Sequence, residues 1–194
     1  IYWYFGEEYR HSNHFDSQRK LLPLFADSQK TSMVCVADAI KGIEKRSWVH
    51  HIPRLMVLSN LAMLADIKPS EFLSWMREVF IDAADWVMVP NVVGMSMHAD
   101  GGKMSTKPYV AGGAYISRMS NYCSSCKYNP KERTGEKACP FTTLYWHYLN
   151  RNRELLKKNH RMFQQINGIN RLKDLQETLI RGDEILAGLE QGEI

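Results

Sequence analysis

The chain contains four cysteines, and their spacing constrains what it can fold around. Cys123, Cys126 and Cys139 form C-x2-C-x12-C, and Cys35 lies far upstream. Three neighbouring thiolates and one remote thiolate can complete a closed tetrahedral site, which suits zinc or an iron–sulfur cluster. Two disulfides are the alternative, but a chain of 194 residues can bury a sizeable core without covalent cross-links. We therefore expect a metal site, and the spacing alone does not choose between zinc and iron–sulfur.

The composition is that of an ordinary globular chain. Apolar residues make up 44% of the sequence and charged residues 24%, as in most soluble proteins. Because charges interrupt the long apolar stretches, we expect no transmembrane helix. The net charge of +4 permits a nucleic-acid partner but does not argue for one. Residues 1–5 are apolar and lack an initiator methionine, so we expect the chain to be the C-terminal part of a longer protein.

Apolar residues recur at three- and four-residue steps along most of the chain, and the alternation typical of strands is scarce. This pattern predicts an all-α fold. Pro69 stands at a position suited to the first turn of a helix. Glycines and prolines also predict one long irregular stretch, which in a compact domain is usually functional. The predicted helices span 46–66, 70–88, 141–163 and 170–188, the irregular stretch spans 90–113, and cysteine-bearing turns span 121–140.

A histidine pair and a downstream acidic pair form the main polar constellation. His51 and Arg54 are three residues apart, so they share one face of a helix. Arg54 lies among leucine and methionine, which predicts partial burial, and a buried guanidinium requires a carboxylate partner. Asp82 or Asp85 is the natural candidate. The alternative is a surface histidine pair, His50 and His51, with two solvated carboxylates.

Six motifs follow one another in a fixed order. They are His-His-x-x-Arg at 50–54, Ile-Asp-Ala-x-Asp-Trp-Val-Met-x-Pro-Asn-Val-x-Gly-Met at 81–95, Ala-Asp-Gly-Gly at 99–102, Lys-Pro-Tyr at 107–109, Gly-Ala-Tyr-Ile-x-Arg-Met-Ser-x-Tyr-Cys-x-x-Cys at 113–126 and Ala-Cys-Pro-Phe at 138–141. The series resembles the helical, FAD-binding domain of the photolyase/cryptochrome superfamily. It is most similar to the iron–sulfur bacterial cryptochrome/(6-4) photolyase family, also described as deoxyribodipyrimidine photolyase-related proteins.

This resemblance implies a set of cofactors. FAD would bind within an all-α, photolyase-like domain, of which residues 1–194 would be the C-terminal part. One 4Fe–4S cluster would be held by Cys35, Cys123, Cys126 and Cys139. An antenna chromophore, a lumazine, would belong to an N-terminal domain outside this chain.

The resemblance also implies roles at the catalytic centre. His51 matches the histidine that faces the lesion, with His50 beside it, and an imidazole can donate a proton near neutral pH. Tyr109 and Tyr115 match aromatic positions that line the lesion pocket. Packing of the long loop is the alternative role for both tyrosines.

Further positions match residues around the flavin. Arg54 would form an ion pair beneath the flavin with Asp82 or Asp85, and Asn91 matches an asparagine near the flavin N5. Trp75 matches a tryptophan of the route by which the flavin is photoreduced, although a core tryptophan on an apolar helix face is the alternative. The sequence departs from the family at Asp27, where a tryptophan of that route is usual.

The implied activity is light-dependent repair of pyrimidine (6-4) photoproducts, a lyase reaction on UV-damaged DNA driven by electron transfer from reduced FAD. The lesion must be flipped out of the duplex, because the flavin cannot reach a stacked base. We expect a cytoplasmic, monomeric prokaryotic protein that binds no membrane. A cryptochrome-type blue-light photoreceptor with the same cofactors is the first alternative, and a structural four-cysteine zinc module is the second.

Overall fold

The computed structural model describes all residues, Ile1–Ile194, and its regular structure is entirely helical. Two isolated bridges, Arg19–Ile67 and Asn129–Ala138, are its only extended pairings. The predicted all-α class is therefore confirmed. No helix combines the length and the apolar character needed to cross a membrane.

Eleven α-helices, two π-helical segments and five short 3-10 turns make up the fold. The α-helices are α1 (Tyr2–Phe5), α2 (Val34–Arg46), α3 (His51–Pro53), α4 (Asn60–Leu64), α5 (Pro69–Val79), α6 (Asp85–Val89), α7 (Gly113–Met119), α8 (Pro140–Arg151), α9 (Arg153–Leu156), α10 (Phe163–Ile169) and α11 (Leu175–Gln191). The π-helical segments are Arg54–Ser59 and Pro90–Ser96. The 3-10 turns are Glu7–His11, Pro23–Phe25, Ser28–Lys30, Tyr122–Ser124 and His160–Met162.

The chain divides into two compact units. The first unit comprises Ile1–Leu21 and Ala39–Tyr109, and the second comprises Leu22–Asp38 and Val110–Ile194. The division falls inside α2, so each unit combines an early and a later part of the chain.

One continuous helix forms the centre of the first unit. It runs from α3 through the π-helical segment Arg54–Ser59 into α4, and residues 55–65 are all buried. A helix that is apolar on every side belongs in a protein interior. Helix α5 begins with Pro69 in its first turn, as predicted, and buries Phe72, Trp75 and Met76.

The second unit is built around the pair α8 and α11, which pack against each other. Leu144, Tyr148 and Leu149 of α8 are fully buried, and Ile185 and Leu189 of α11 are equally inaccessible. Leu144 and Tyr148, like Ile185 and Leu189, lie four residues apart, as residues on one face of a helix do. For α11 the apolar pattern of the sequence was only partly correct, because Ile180 is 53% exposed whereas Ile185 and Leu189 form the core.

The predicted helix boundaries were wrong in five places. The helix expected over 46–66 starts only at His51, because Ser47 adopts a left-handed conformation (φ 51°) that ends α2. The helix expected over 70–88 is interrupted after Val79. The stretch predicted to be irregular is helical as far as Ser96. Helix α8 ends at Arg151 rather than extending to 163, and the last helix begins at Leu175.

Gly94 tests the packing of the second π-helical segment. A Cβ there would lie 2.3 Å from the Tyr9 hydroxyl and 2.7 Å from Cβ of Met104. Gly94→Ala should therefore lower the free energy of unfolding by about 1–3 kcal/mol, the usual cost of overpacking. Chemical denaturation of the full-length protein measures this change. Gly112→Ala is the matched control, since its nearest neighbour would be 3.6 Å away; equal effects of the two substitutions would contradict the prediction.

Candidate functional site

A pocket in the first unit is lined by both π-helical segments. It holds about 430 Å³ of empty volume, and π-helical turns occur often at functional sites. Its polar lining comes from His51, Arg54 and Asn91. The remaining lining residues are Leu55, Ser59, Met76, Val87, Met88, Val92, Met95 and Ser96. The structure therefore brings together His51, predicted as catalytic, with Arg54 and Asn91, predicted to bind the flavin.

Prolines explain why both segments leave regular α-helical geometry. Pro53 has no N–H for the carbonyl of Val49, and Nε of Arg54 donates to that carbonyl instead, at 2.7 Å. Pro90 likewise offers no N–H to the preceding turn. Beyond it the helix uses a wider step, in which the Met97 N–H donates to the Val92 carbonyl at 2.9 Å. The two prolines thus determine where the helices that line the pocket adopt wider, π-helical turns.

Arg54 is held from two sides. Its guanidinium donates to both carboxylate oxygens of Asp82, at 2.8 and 3.0 Å, and lies 4.0 Å from the ring centroid of Phe80. The Arg54 side chain is only 14% exposed, so the predicted burial is confirmed. Arg54 also holds the pKa of Asp82 below its ordinary value, because its hydrogen bonds favour the charged carboxylate.

Asp85, the other carboxylate considered for this pairing, has different partners. It accepts from Arg77 at 2.7 Å and from Arg10 at 3.0 Å. The acidic pair therefore divides between two ion-pair systems, and the partner of Arg54 is Asp82. Sequence spacing did not distinguish the two carboxylates. Which of them reaches Arg54 depends on the direction in which each side chain points, and tertiary packing decides that direction.

The two neighbouring histidines occupy different environments. Nδ1 of His50 accepts the N–H of Ile52 at 3.2 Å, so this ring caps the start of α3. His51 is the first residue of that helix, and its exposed side chain lines the pocket. Asn91 donates from Nδ2 to the Val87 carbonyl at 2.8 Å, which leaves its amide oxygen for a ligand. His51 and Asn91 therefore keep polar atoms available at the pocket.

Three predicted site residues lie away from this pocket lining. Trp75 is a core residue, stacked on Phe72 at 5.4 Å and edge-on to Phe80 at 6.2 Å. Phe80 in turn contacts Arg54, so Trp75 reaches the pocket only through one intervening ring. Tyr109 is 41% exposed at the end of the first unit. Tyr115 belongs to α7 of the second unit, where Arg118 lies over its ring.

All four cysteines line one cavity in the second unit. The thiols are free, so the disulfide alternative is not what the structure contains. Cys35 sits at the start of α2, Cys123 in a 3-10 turn and Cys139 at the N-cap of α8. Cys35 and Cys139 are buried, whereas Cys123 and Cys126 are partly exposed. One remote and three local cysteines thus line the same cavity, as the spacing led us to expect.

Burial dominates the electrostatics of these thiols. It raises the pKa of Cys35 and of Cys123, and it raises the pKa of Cys139 to about 11. Opposing this, the backbone N–H groups of Thr142 and Phe141, in the first turn of α8, favour the Cys139 thiolate. Cys35, Cys123 and Cys139 therefore stay protonated at neutral pH.

The cavity wall contains two features that the sequence pattern did not reveal. Gly113 leaves space for Cys139, since a Cβ there would lie 2.7 Å from Sγ. Tyr122 donates from its hydroxyl to Asp38 at 2.8 Å, and burial together with that carboxylate raises the Tyr122 pKa to about 12. In the sequence, only the position of Gly113 ahead of the Cys123–Cys126 motif indicates the space beside Cys139.

The four thiols surround a cavity and do not meet at one point. No three cysteine, histidine, aspartate or glutamate side chains converge closely enough to hold a single metal ion. The wall between the thiols is apolar and includes Met33, Ile116 and Phe141. The donor set is thus four separated sulfur atoms around one small, largely dry space.

Known proteins match this chain in sequence. No protein-family model matches the chain. It is 52% identical over 164 residues, 84% of its length, to a (6-4) photolyase of Agrobacterium fabrum, of which it covers 32%. It is 30% identical over 108 residues, 56% of its length, to an uncharacterized protein of Acanthamoeba polyphaga mimivirus, of which it covers 80%. An all-helical domain with these matches is of the photolyase/cryptochrome class.

Within that class, the chain belongs to the bacterial cryptochrome/(6-4) photolyase family. It spans about a third of the length of the photolyase that it matches.

The Arg54–Asp82 pair should make stability depend on acid pH. Because the Asp82 pKa is lowered in the fold, the stabilisation is present above the ordinary value of 3.8 and is lost as pH falls through the lowered pKa. Asp82→Asn should cost about 1 kcal/mol near neutral pH, given that the carboxylate is half exposed. The difference from the parent should shrink below about pH 4. Denaturation series from pH 7 to pH 3 measure it, with Glu8→Gln as an exposed carboxylate control; a constant difference would refute the pairing effect.

Proposed function

We propose that this chain forms part of the FAD- and iron–sulfur-binding domain of a light-dependent DNA repair enzyme that acts on pyrimidine (6-4) photoproducts. The observation that carries the proposal is the pocket where His51, the paired Arg54 and Asn91 meet between two π-helical segments. The identity to a (6-4) photolyase supports the same reaction, a photolyase-type lyase reaction. The full-length protein would be a cytoplasmic monomer with an N-terminal domain that carries a lumazine antenna.

The pocket fits part of a large, flat, aromatic cofactor. Its walls are apolar with few polar groups, as is usual for small-molecule sites. Met76, Met88 and Met95 add polarizable side chains that adapt to a ring surface. FAD, when bound, supplies an electron to the lesion under light.

Protein groups at the pocket would orient that cofactor. Arg54 is already fixed by Asp82 and by the Phe80 ring, so it would hold a ligand with little further loss of side-chain freedom. Asn91 would offer its amide oxygen, because its amide nitrogen is used by the Val87 carbonyl. A rigid cation and a preoriented acceptor would fix the position of the ligand against the helix.

The proton for repair would come from His51. UV-damaged DNA would present its lesion flipped out of the duplex, since the chemistry cannot reach a stacked base. The His51 side chain lines the pocket and is exposed, and its ring makes no hydrogen bond within the chain. The ring is therefore free to act on a ligand. His50 is occupied as a helix cap. We therefore assign proton donation to His51 and a supporting structural role to His50.

We further propose that Cys35, Cys123, Cys126 and Cys139 hold one 4Fe–4S cluster. In such a cluster each thiolate binds a different iron, so the sulfur donors lie farther apart than around one zinc ion. Four thiols that line one cavity with apolar walls fit that arrangement. The cluster would be structural, because it would tie the remote start of α2 to the turns that carry the other three cysteines.

Metal and sulfide analysis tests the cluster. Anaerobically purified full-length protein should contain about four irons and as many sulfides per chain. Cys139→Ala should abolish both and lower the melting temperature, because the bound metal contributes folding free energy. Ser125→Ala, beside Cys126 and exposed, is the matched control and should retain full iron. Stoichiometric zinc without sulfide would instead support the zinc-module alternative.

Repair assays test the assignment of His51. His51→Ala should lower repair of a (6-4) oligonucleotide under blue light by at least about 100-fold, the usual contribution of a general acid. Photoreduction of its flavin should be unchanged. His50→Ala should keep most repair and lose about 1 kcal/mol of stability with the helix cap. Parental repair by His51→Ala would place the proton donor elsewhere. A parent that photoreduces its flavin but does not repair the lesion would favour the photoreceptor alternative.

A further inference from the structure

We propose that Tyr122 and Asp38 form a latch that holds the four-cysteine cavity closed around its cluster. The two residues are positioning residues, because neither supplies a sulfur donor. This inference rests on the proposed 4Fe–4S cluster and assigns to two further side chains the control of how long that cluster survives.

The latch joins the same two segments as the cluster. Asp38 lies one turn after Cys35 on α2, so both side chains project from the same face of that helix. Tyr122 immediately precedes Cys123 in the 3-10 turn. The Tyr122 hydroxyl donates to Oδ2 of Asp38 at 2.8 Å, across 84 residues of sequence.

Closing a loop of that length has an entropic cost, and the Tyr122–Asp38 hydrogen bond offsets part of it. With the hydrogen bond formed, the Cys35 segment stays beside the Cys123 turn even when a cluster bond opens. The effective concentration of the detached thiolate is then high, and the bond re-forms before the cluster is lost. The latch therefore acts on the lifetime of the cluster more than on its formation.

The position of the Tyr122 ring adds a second effect. The ring lines the cavity beside Cys123 and Cys126, the two cysteines that are partly exposed, whereas Cys35 and Cys139 are buried. Solvent and oxygen thus have their shortest approach on the side that Tyr122 covers. Losing the hydrogen bond would free the ring to swing away from that opening.

Cluster decay in air is the appropriate measurement. Full-length protein would be purified anaerobically and exposed to air, and the loss of visible absorbance and of bound iron would be followed. Tyr122→Phe should accelerate the loss about fivefold, the ratio that corresponds to about 1 kcal/mol for a solvent-exposed hydrogen bond. Asp38→Ala should do the same, and the double variant should also decay about fivefold faster, because either change removes the same bond.

Two further variants separate the latch from general destabilisation. Tyr128→Phe removes a hydroxyl from a buried tyrosine that lines the same cavity and makes no hydrogen bond to α2, so it should decay at the parental rate. Asp38→Asn keeps an oxygen acceptor and should stay within about twofold of the parent. The melting temperature of Tyr128→Phe should equal that of the parent.

The outcomes distinguish the latch from the cluster itself. A parent that contains iron and sulfide, with parental decay in Tyr122→Phe, would overturn the latch and leave the cluster intact. Independent effects that multiply to about 25-fold in the double variant would also overturn it, because two separate contacts would then be involved. A parent without iron would overturn both proposals.

Discussion

A buried guanidinium determines much of the first unit. Removing the Arg54 charge from water is unfavourable unless a carboxylate and further hydrogen bonds compensate. Asp82 supplies the charge, the Val49 carbonyl accepts Nε, and the Phe80 ring covers one face. The turn that carries Phe80 and Asp82 therefore has to pack against the start of the helix that carries Arg54, although Asp82 lies 28 residues away in sequence. Arg54, fixed in this way, also lines the pocket.

The second unit meets a related constraint with sulfur. Burial disfavours the ionised thiols of Cys35, Cys123 and Cys139, and the first turn of α8 compensates at Cys139 only in part. A bound cation would change the balance, because a metal stabilises thiolates in surroundings where protons otherwise remain bound. Both units thus place unfavourable polar groups in apolar surroundings and stabilise them by specific partners. The two differ in that the partner of Arg54 is a residue of the chain, whereas the partner proposed for the thiols is a bound metal cluster.

The sequence predicted those features that depend on composition and on regular spacing. The helical class, the burial of Arg54 and the meeting of Cys35 with the other cysteines followed from periodicity, charge and thiol chemistry. The choice of Asp82 over Asp85 did not, because helix rotation depends on tertiary packing. The displacement of Trp75 from the pocket lining has the same origin. Asp27, which replaces an expected tryptophan, caps the turn at Ser28–Lys30 by accepting the Gln29 N–H, a local role that spacing does not indicate.

The two π-helical segments make the number of residues in each helix important for the site. A π-helical turn accommodates one residue more than an α-helical turn, so it is a local insertion within a continuous helix. One residue inserted into a regular α-helix would rotate everything before it by about 100° relative to everything after it. Because the wider turn between Arg54 and Ser59 takes up the extra residue, His51 keeps facing the side chains that complete the pocket. Register, as much as residue identity, is therefore part of this site.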